Sequence, residues 1–460
     1  MQENSRQIKE VEKYKIVDFE SAKDFLFNRL TDSKEKLFGR ELGLQRATEW
    51  LRQLGDPQES YPSIHIAGTS GKGSTGYMIS SILSALNQKV GTILSPHVYD
   101  VRERLLINQS YIPDKEFTHR TQELIKPIAK LEQTKFGRPT YFEVMVGMAH
   151  TCFANHKVNY AVVETGNGGR FDSTNTIKRN DKLAVITRLG IDHTELLGNT
   201  PKEIAWQKAG IIPENGHVIA LLPDDAGVRK IIKDEAKLKN SSIDFVNPKS
   251  LITNFHQNIN GIKFDYASRD LTIKNLTLPT LGFYQAENAC LAIAAIEYLA
   301  RRDGLKINST VLKNCLRKLN IPARAEIINF NDTLVFIDSA HNLQKLEAFF
   351  DLIESLKLPK KPLIIFATKK SKNWLSIIPK LISAADEIIV TELSSNQPGS
   401  LQKYSVNPNE IVNKILELGG NATAFSSPEI ALNNALNHAL PGRAIVINSN
   451  HELAIKDKAR

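Results

Sequence analysis

Short β-branched runs separated by helical stretches recur along most of this chain, and they restrict its fold more tightly than any other feature. The first cluster is "SIHIA" (Ser63–Ala67), "VGTIL" (Val90–Leu94), "YAVVE" (Tyr160–Glu164), "LAVIT" (Leu183–Thr187) and "HVIALL" (His217–Leu222). The second is "TLVFID" (Thr333–Asp338), "PLIIFAT" (Pro362–Thr368), "EIIVTEL" (Glu387–Leu393) and "AIVIN" (Ala444–Asn448). Runs of this length, alternating with helices, build βαβ units and mainly parallel sheets. The stretch between Asp244 and Pro279 differs. Its "GIKFDYASRDLTIKNLTL" is polar and alternating, which predicts antiparallel strands. "RKLNIPARAE" (Arg317–Glu326) lies between a helix and the second cluster, so a domain boundary is expected near Asn320. A chain of 460 residues is long enough for two or three domains.

Composition narrows the function classes. Hydrophobic content of 42% and charged content of 24% are ordinary for a soluble globular protein. Aromatic content of 7% gives little support to a base-stacking surface for single-stranded nucleic acid. The net charge of +9 comes from scattered lysines without a basic block, which reads as a solvated surface and no specific nucleic-acid partner. Cys152, Cys290 and Cys315 are far apart and form no CxxC pair, as in a reducing compartment. The opening "MQENSRQIKEVEKYK" lacks an apolar signal core, and the longest apolar run, "ACLAIAAIEYLA" (Ala289–Ala300), is too short to span a bilayer. A cytoplasmic monomer, away from membranes, is expected.

The most chemical stretch is "IHIAGTSGKGST" (Ile64–Thr75). It reads strand, Gly-rich turn, helix, with Ile79, Ile82, Leu83 and Leu86 continuing at helical spacing. A helix N-terminus offers free N–H groups and a dipole that favour an anion. Gly68, Gly71 and Gly73 would let backbone approach phosphate oxygens, Lys72 would reach the terminal phosphates, and Ser74 or Thr75 would offer a hydroxyl to Mg²⁺. The spelling departs from the common P-loop: two residues separate Gly68 from Gly71, and Ser74 comes one place after the usual position. A Gly-rich turn without ligand is the alternative.

Open α/β sheets bind ligands beyond the carboxyl ends of their strands. There the sequence places Ser95 and His97 after "VGTIL", Glu164 and "TGNGGRFDSTN" after "YAVVE", and Asp192 and His193 after "LAVIT". Carboxylate, imidazole and hydroxyl near a triphosphate suit Mg²⁺, although each residue alone has a structural reading: Asp192 as a cap, His97 as a packed polar residue, Glu164 as a surface acid. "NTPKEIAWQKAGII" opens with a capping box, Thr200 and Glu203, and with Pro201 at the first helical position. Lys208 falls on the apolar stripe of that helix. It reads either as a lysine snorkelling to water, which the residues alone favour, or as an amine that loses its charge and forms a carbamate with CO₂ near a metal.

Taken together, "GTSGKGST", "SPHVYDVRERLLIN", "TYFEV", "VVETGNGGRFDSTN", "DHTELLGNTPKEIAWQKAGII", "LGFYQAENACLAIAA", "IPARAEI" and "IDSAHN" occur in the order and spacing of one family. The chain resembles the folylpolyglutamate synthase/dihydrofolate synthase family of Mur ligases. That resemblance implies an α/β fold. A P-loop-type, mainly parallel ATPase domain over 1–319, with a small antiparallel region, precedes a smaller Rossmann-like glutamate-ligase domain over 320–460. It implies an ATP-dependent ligase joining L-glutamate to a folate or dihydropteroate carboxylate through an acyl phosphate. By the same resemblance Lys72 contacts the ATP phosphates and Ser74 belongs to the phosphate loop. Ser95, Glu164 and His193 hold Mg²⁺, Lys208 is carbamylated, and Asn288 faces adenine. Arg324 reaches the phosphates, and Asp338 and His341 meet the nucleotide and the acyl phosphate or glutamate. A site shared between two domains implies closure on binding.

Some positions depart from the family pattern. Ser70 stands for the usual Asn, Ser339 for Gly and Leu343 for Pro, Asn373 for Asp, and Asn448-Ser449-Asn450 for a Gly-Ser pair. Most lie in the second domain. Two other functions compete with a folate ligase: a Mur-type amide ligase on another carboxylate, and a nucleotide-binding homologue without catalysis.

Overall fold

The computed structural model describes residues 14–30, 41–191, 194–330, 332–338, 340, 343–370, 373–393, 405–438 and 443–448. The chain divides into two compact units. One runs through Phe255 and includes Lys263–Thr277 and Phe283–Leu319; the other comprises His256–Ile262, Leu278–Gly282 and the chain from Asn320 onward.

In the first unit the strands are β1 (Ser63–Ala67), β2 (Val90–Ile93), β3 (Leu106–Ile107), β4 (Ser110–Tyr111), β5 (Tyr160–Glu164), β6 (Leu183–Ile186), β7 (His217–Leu221) and β8 (Ser242–Val246). They form one sheet in the order β4-β3-β2-β5-β1-β6-β7-β8. From β2 to β8 every pairing is parallel, and β3 and β4 add an antiparallel edge. β1 is central, with Ile64 registered to Val162 on one side and Leu183 on the other. All five of its residues are buried, which is why its sequence is apolar nearly throughout. The helix Lys72–Ala85, which β1 feeds, packs against the long helix Phe283–Asp303.

The polar stretch from Asp244 resolves into two elements. Asp244, Phe245 and Val246 belong to β8, which runs parallel to β7 with Ile219 opposite Asp244. β8 is the last strand of the sheet, exposed at Ser242 and Asp244, so it alternates like a strand of an antiparallel pair. The following strands, β9 (Ile252–Asn258), β10 (Gly261–Ala267) and β11 (Thr272–Leu278), form a separate three-stranded sheet in the order β11-β10-β9. Their connections are far too short for a parallel crossover, so these hairpins are antiparallel.

The second unit carries β12 (Glu326–Phe330), β13 (Thr333–Asp338), β14 (Leu363–Phe366), β15 (Glu387–Val390), β16 (Ala422–Ala424) and β17 (Ile445–Asn448). Their order is β12-β13-β17-β14-β15-β16, parallel except for the β12–β13 pair. Among the described residues no helix is long and apolar enough to cross a membrane.

Candidate active site

β1 ends at Ala67 and the chain turns directly into a phosphate-type loop. A Cβ on Gly68 would stand 1.8 Å from Thr187 Oγ1, so only glycine lets the loop lie against the end of β6. Gly71 has φ +88° and a Cβ there would meet Asn288 Oδ1 at 2.3 Å. It is glycine for both reasons, conformation and space. The helix begins at Lys72, so its unpaired N–H groups face the loop.

The loop is tied to the segment after β6 mainly by backbone. The N–H groups of Thr69 and Ser70 donate to the Arg188 carbonyl at 2.9 and 3.2 Å. Thr187 Oγ1 donates to the Ser70 carbonyl at 2.7 Å, and Thr69 Oγ1 donates to the Gly190 carbonyl at 2.9 Å. The bonds at residue 70 use main-chain atoms, which an Asn there would also supply.

Two lysines converge on this loop. Lys72 Nζ donates to the Gly68 carbonyl at 3.1 Å, and Lys208 Nζ donates to the same oxygen at 2.8 Å. Lys208 is 3% exposed, so its amine turns inward to the loop and does not snorkel to water. Its helix, Pro201–Ala209, starts as the sequence predicts, with the Thr200–Glu203 capping box and Pro201 in the first turn. The "GGRF" loop lies against the same helix through the Arg170 N–H, which donates to the Gln207 carbonyl at 2.7 Å.

Ser95 and Glu164 come together at the ends of β2 and β5: the Ser95 N–H donates to Glu164 Oε2 at 2.9 Å. Glu164 is buried, not a surface acid. The Ser95–Pro96 peptide is cis. Thr75 Oγ1 is buried and makes no hydrogen bond among the described residues. His97 takes its packed reading: Arg104 Nε donates to its Nδ1 at 2.8 Å and Phe27 stacks on the ring. Asn288 sits over Gly71, its amide donating to Gln285 Oε1 at 3.0 Å. Asp192, His193, Ser339 and His341 lie outside the described residues.

In the second unit, Arg324 is presented by an unusual backbone. Ala323 and Ala325, on either side, both have φ +49°. The left-handed region is costly for alanine. Side-chain carboxylates hold it: Ala323 N–H donates to Glu326 Oε2 at 2.9 Å and Ala325 N–H to Asp338 Oδ2 at 2.8 Å. Thr280 Oγ1 donates to the Arg324 carbonyl at 3.0 Å. The other Asp338 oxygen accepts from Ala340 N–H at 2.7 Å, and Asn448 Nδ2 donates to the Ala340 carbonyl at 3.1 Å. Burial pushes the Asp338 carboxyl above its usual range, with Arg324 and the two amides pulling the other way.

Sequence reasoning missed a cavity of about 260 Å³ in the first unit, lined by Arg46, Phe142, Glu143, Phe171 and Asp172 among others. Arg46 and Glu143 form a buried two-bond ion pair at 2.8 and 3.0 Å. Glu143 also closes the capping box of the helix Tyr141–Asn155 with Thr140. Asp172 accepts from the Asn167 and Thr174 N–H groups at 2.7 and 3.0 Å. Burial raises its pKa, and these donors oppose the rise. The signal was available: Asp172 stands in the "GGRFDSTN" word and Glu143 in "TYFEV".

Glu116, Cys152 and His156 also bring their donor atoms within 4.8 Å of one another. His156 Nε2 lies 2.8 Å from Glu116 Oε1, and Arg120 Nε lies 3.8 Å from the same oxygen. Burial pushes the Cys152 thiol up to about 12. A competing arginine and a firmly protonated thiol make this a hydrogen-bonded cluster outside the site.

A Gly-rich loop opening a helix at the centre of a parallel sheet, two lysines on it and a buried carboxylate at the next strand end define an α/β enzyme of phosphoryl transfer. The Mur ligase middle domain matches residues 66–296, and the Mur ligase glutamate ligase domain matches residues 323–451. The dihydrofolate synthase/folylpolyglutamate synthase of Bacillus subtilis is 31% identical over 86% of this chain and 90% of its own length. The dihydrofolate synthetase of Saccharomyces cerevisiae is 30% identical over 88% and 92%. Solved structures agree. The Mycobacterium tuberculosis folylpolyglutamate synthase, complexed with ADP and AMPPCP, matches with TM-score 0.77 and 26% identity over 89% of this chain and 92% of that one. The Thermotoga maritima folylpolyglutamate synthase matches with TM-score 0.75 and 28% identity over 89% and 90%. The chain belongs to the folylpolyglutamate synthase/dihydrofolate synthase family of Mur ligases.

Proposed function

We infer that this chain is an ATP-dependent ligase that joins L-glutamate to a folate-type carboxylate. The carboxylate oxygen attacks the γ-phosphorus of ATP and ADP leaves. The glutamate amine then attacks the acyl carbon and phosphate leaves. The observation that carries this reading is the loop at Gly68–Thr75, with a helix N-terminus opening on it and the Lys72 amine against it, an arrangement that suits a polyphosphate.

We propose the following roles. Gly68, Gly71 and Gly73 keep the loop open to the phosphates, Lys72 neutralises their charge, and Ser74 and Thr75 bring hydroxyls to the helix start. Ser95, Glu164 and His193 are proposed to hold Mg²⁺. The donors fit a hard cation: Glu164 is a buried carboxylate already brought to Ser95, and the buried Thr75 hydroxyl lacks a partner among the described residues. Bound Mg²⁺ neutralises charge on the phosphates. Lys208 is proposed to act as a carbamate, which would turn a cation beside Lys72 into an anion. Its buried amine, held against the loop, suits that role. Asn288 is assigned to the adenine side of the loop, and Arg324, Asp338 and His341 to the phosphates, nucleotide and glutamate. Residues 1–319 are assigned to ATP binding and 320–460 to the glutamate-ligase domain.

We assign the cavity beside Asp172 to the ring system of the acceptor. A flat heterocycle with N–H groups on one edge needs a carboxylate acceptor and aromatic walls, and Asp172, Phe142 and Phe171 supply them.

The deciding experiment supplies ATP, Mg²⁺ and L-glutamate with 7,8-dihydropteroate or tetrahydrofolate and measures ADP release. Glutamate-dependent ADP release is expected. None with either acceptor would reject the folate assignment, and turnover with a nucleotide-linked muramyl carboxylate would point to the other class of Mur ligase.

A further inference from the structure

Asp172, which lines the cavity, is backed by two buried side chains. Thr174 Oγ1 lies 2.5 Å from Asp172 Oδ1, and His65 Nε2 lies 2.9 Å from the same hydroxyl. His65 belongs to β1, the strand that delivers the phosphate loop, and it and Thr174 are fully buried. Burial holds the His65 imidazole well below its usual pKa, so it is neutral, with one donor and one acceptor nitrogen.

Burial raises the Asp172 carboxyl, and the backbone N–H groups that donate to both of its oxygens oppose that rise; as a carboxylate it only accepts. Thr174 must therefore donate its single hydroxyl proton to Asp172. Its lone pair is then left to accept from His65 Nε2–H. This tautomer leaves Nδ1 bare, and Nδ1 makes no hydrogen bond among the described residues. The histidine in an otherwise apolar "SIHIA" strand thus has a use. A leucine would pack as well but would leave the Thr174 hydroxyl with no donor to fix it.

We propose that Thr174 and His65 are positioning residues for the acceptor: they lock the Asp172 carboxylate in the orientation that receives the N–H edge of the substrate ring. This rests on the assignment of the acceptor to the cavity. Neither residue lines the cavity as Asp172 does. Their effect on the acceptor must therefore pass through the carboxylate, leaving ATP unaffected.

The test is steady-state kinetics with 7,8-dihydropteroate and ATP varied separately, on Asp172→Asn, Thr174→Val, Thr174→Ser and His65→Gln. Losing a charge-assisted hydrogen bond should raise the acceptor KM of Thr174→Val about tenfold with the ATP KM unchanged. Thr174→Ser keeps the hydroxyl and should stay within about threefold of wild type, and His65→Gln should fall between the two. Thermal unfolding of each variant separates this from a packing defect, which would lower Tm and move both KM values together. If Thr174→Val does not fold, Thr174→Ala takes its place, with the same rise expected. Three results overturn the proposal. An acceptor KM unmoved in Thr174→Val but raised in Asp172→Asn removes the relay and leaves the cavity assignment standing. An acceptor KM unmoved in Asp172→Asn removes the cavity assignment and the relay with it. Equal rises for acceptor and ATP reduce both residues to packing.

Discussion

Lys72 and Lys208 share one acceptor: both amines donate to the Gly68 carbonyl, at 3.1 and 2.8 Å. Two ammonium groups on a single oxygen repel, and the position of Lys208 is buried. Conversion of Lys208 to a carbamate would relieve that repulsion and leave Lys72 to the phosphates. Lys208→Ala is expected to lower ligase kcat by about a hundredfold or more, the scale of losing one preorganised charge at a transferring group. Added short carboxylic acids should restore part of it. Full activity in the unsupplemented variant would remove Lys208 from the mechanism.

Gly71→Ala should act on nucleotide binding and stability together. The new methyl meets Asn288 at 2.3 Å, and the φ of +88° is unfavourable for alanine. Backbone strain of this kind costs roughly 1–3 kcal/mol. A rise in the ATP KM with a lowered unfolding midpoint is expected. Adding Asn288→Gly in the same chain should relieve the clash but not the strain, which a double-mutant cycle on stability would detect.

Ser70→Asn should be close to silent. Residue 70 meets Arg188 and Thr187 through its N–H and carbonyl, which Asn supplies equally. Activity within about twofold and unchanged stability are expected, because the bonds that hold the loop at this position are main-chain. A large loss would mean that the serine side chain itself has a role.

Lys182 gives the first unit a distinctive alkaline behaviour. It is 4% exposed, and burial depresses its pKa from 10.5 to about 8. Between about pH 8 and 10.5 the unfolded chain holds a proton that the folded one lacks, so this group's contribution to stability rises with pH there. Below pH 8 folding carries the full cost of the buried charge, of order 3 kcal/mol. Lys182→Met should therefore stabilise the protein more at pH 7 than at pH 10, by denaturant unfolding. An equal effect at both values would show that Lys182 titrates normally.

The ion pair in the cavity wall should be fragile to single changes. Glu143→Gln leaves Arg46 buried against a weaker partner, and breaking such a pair costs roughly 3–5 kcal/mol. Replacing both Arg46 and Glu143 by apolar residues of similar size should cost less than either single change. Additive losses in urea titrations would contradict this.

Most strands were legible because they are buried on both faces and therefore read as continuous apolar runs. β1, β5 and β13 coincide with their runs at both ends. β8 was not, because an edge strand wets one face and borrows the pattern of a hairpin. The phosphate loop was legible because glycine, lysine and hydroxyl are each required there by backbone geometry or charge. The cavity beside Asp172 was harder to see, although two of its residues stand in family words. Arg46, Glu143 and Asp172 are ordinary surface types until long-range packing brings them inside. The left-handed turns at Ala323 and Ala325 were hidden for a similar reason: alanine carries no turn signature, and the carboxylates that hold those turns are only legible in three dimensions.

Those carboxylates also change how kinetics on the second unit must be interpreted. Both oxygens of Asp338 are occupied by the amides of Ala325 and Ala340, and Asn448 completes the hold on Ala340. An asparagine at 338 would have one oxygen where two are used, and would turn a proton donor toward an amide that is itself a donor. Slow turnover in such a variant would report a misplaced Arg324 before it reported any lost nucleotide contact. A residue that looks like a ligand in the linear text here serves first as masonry.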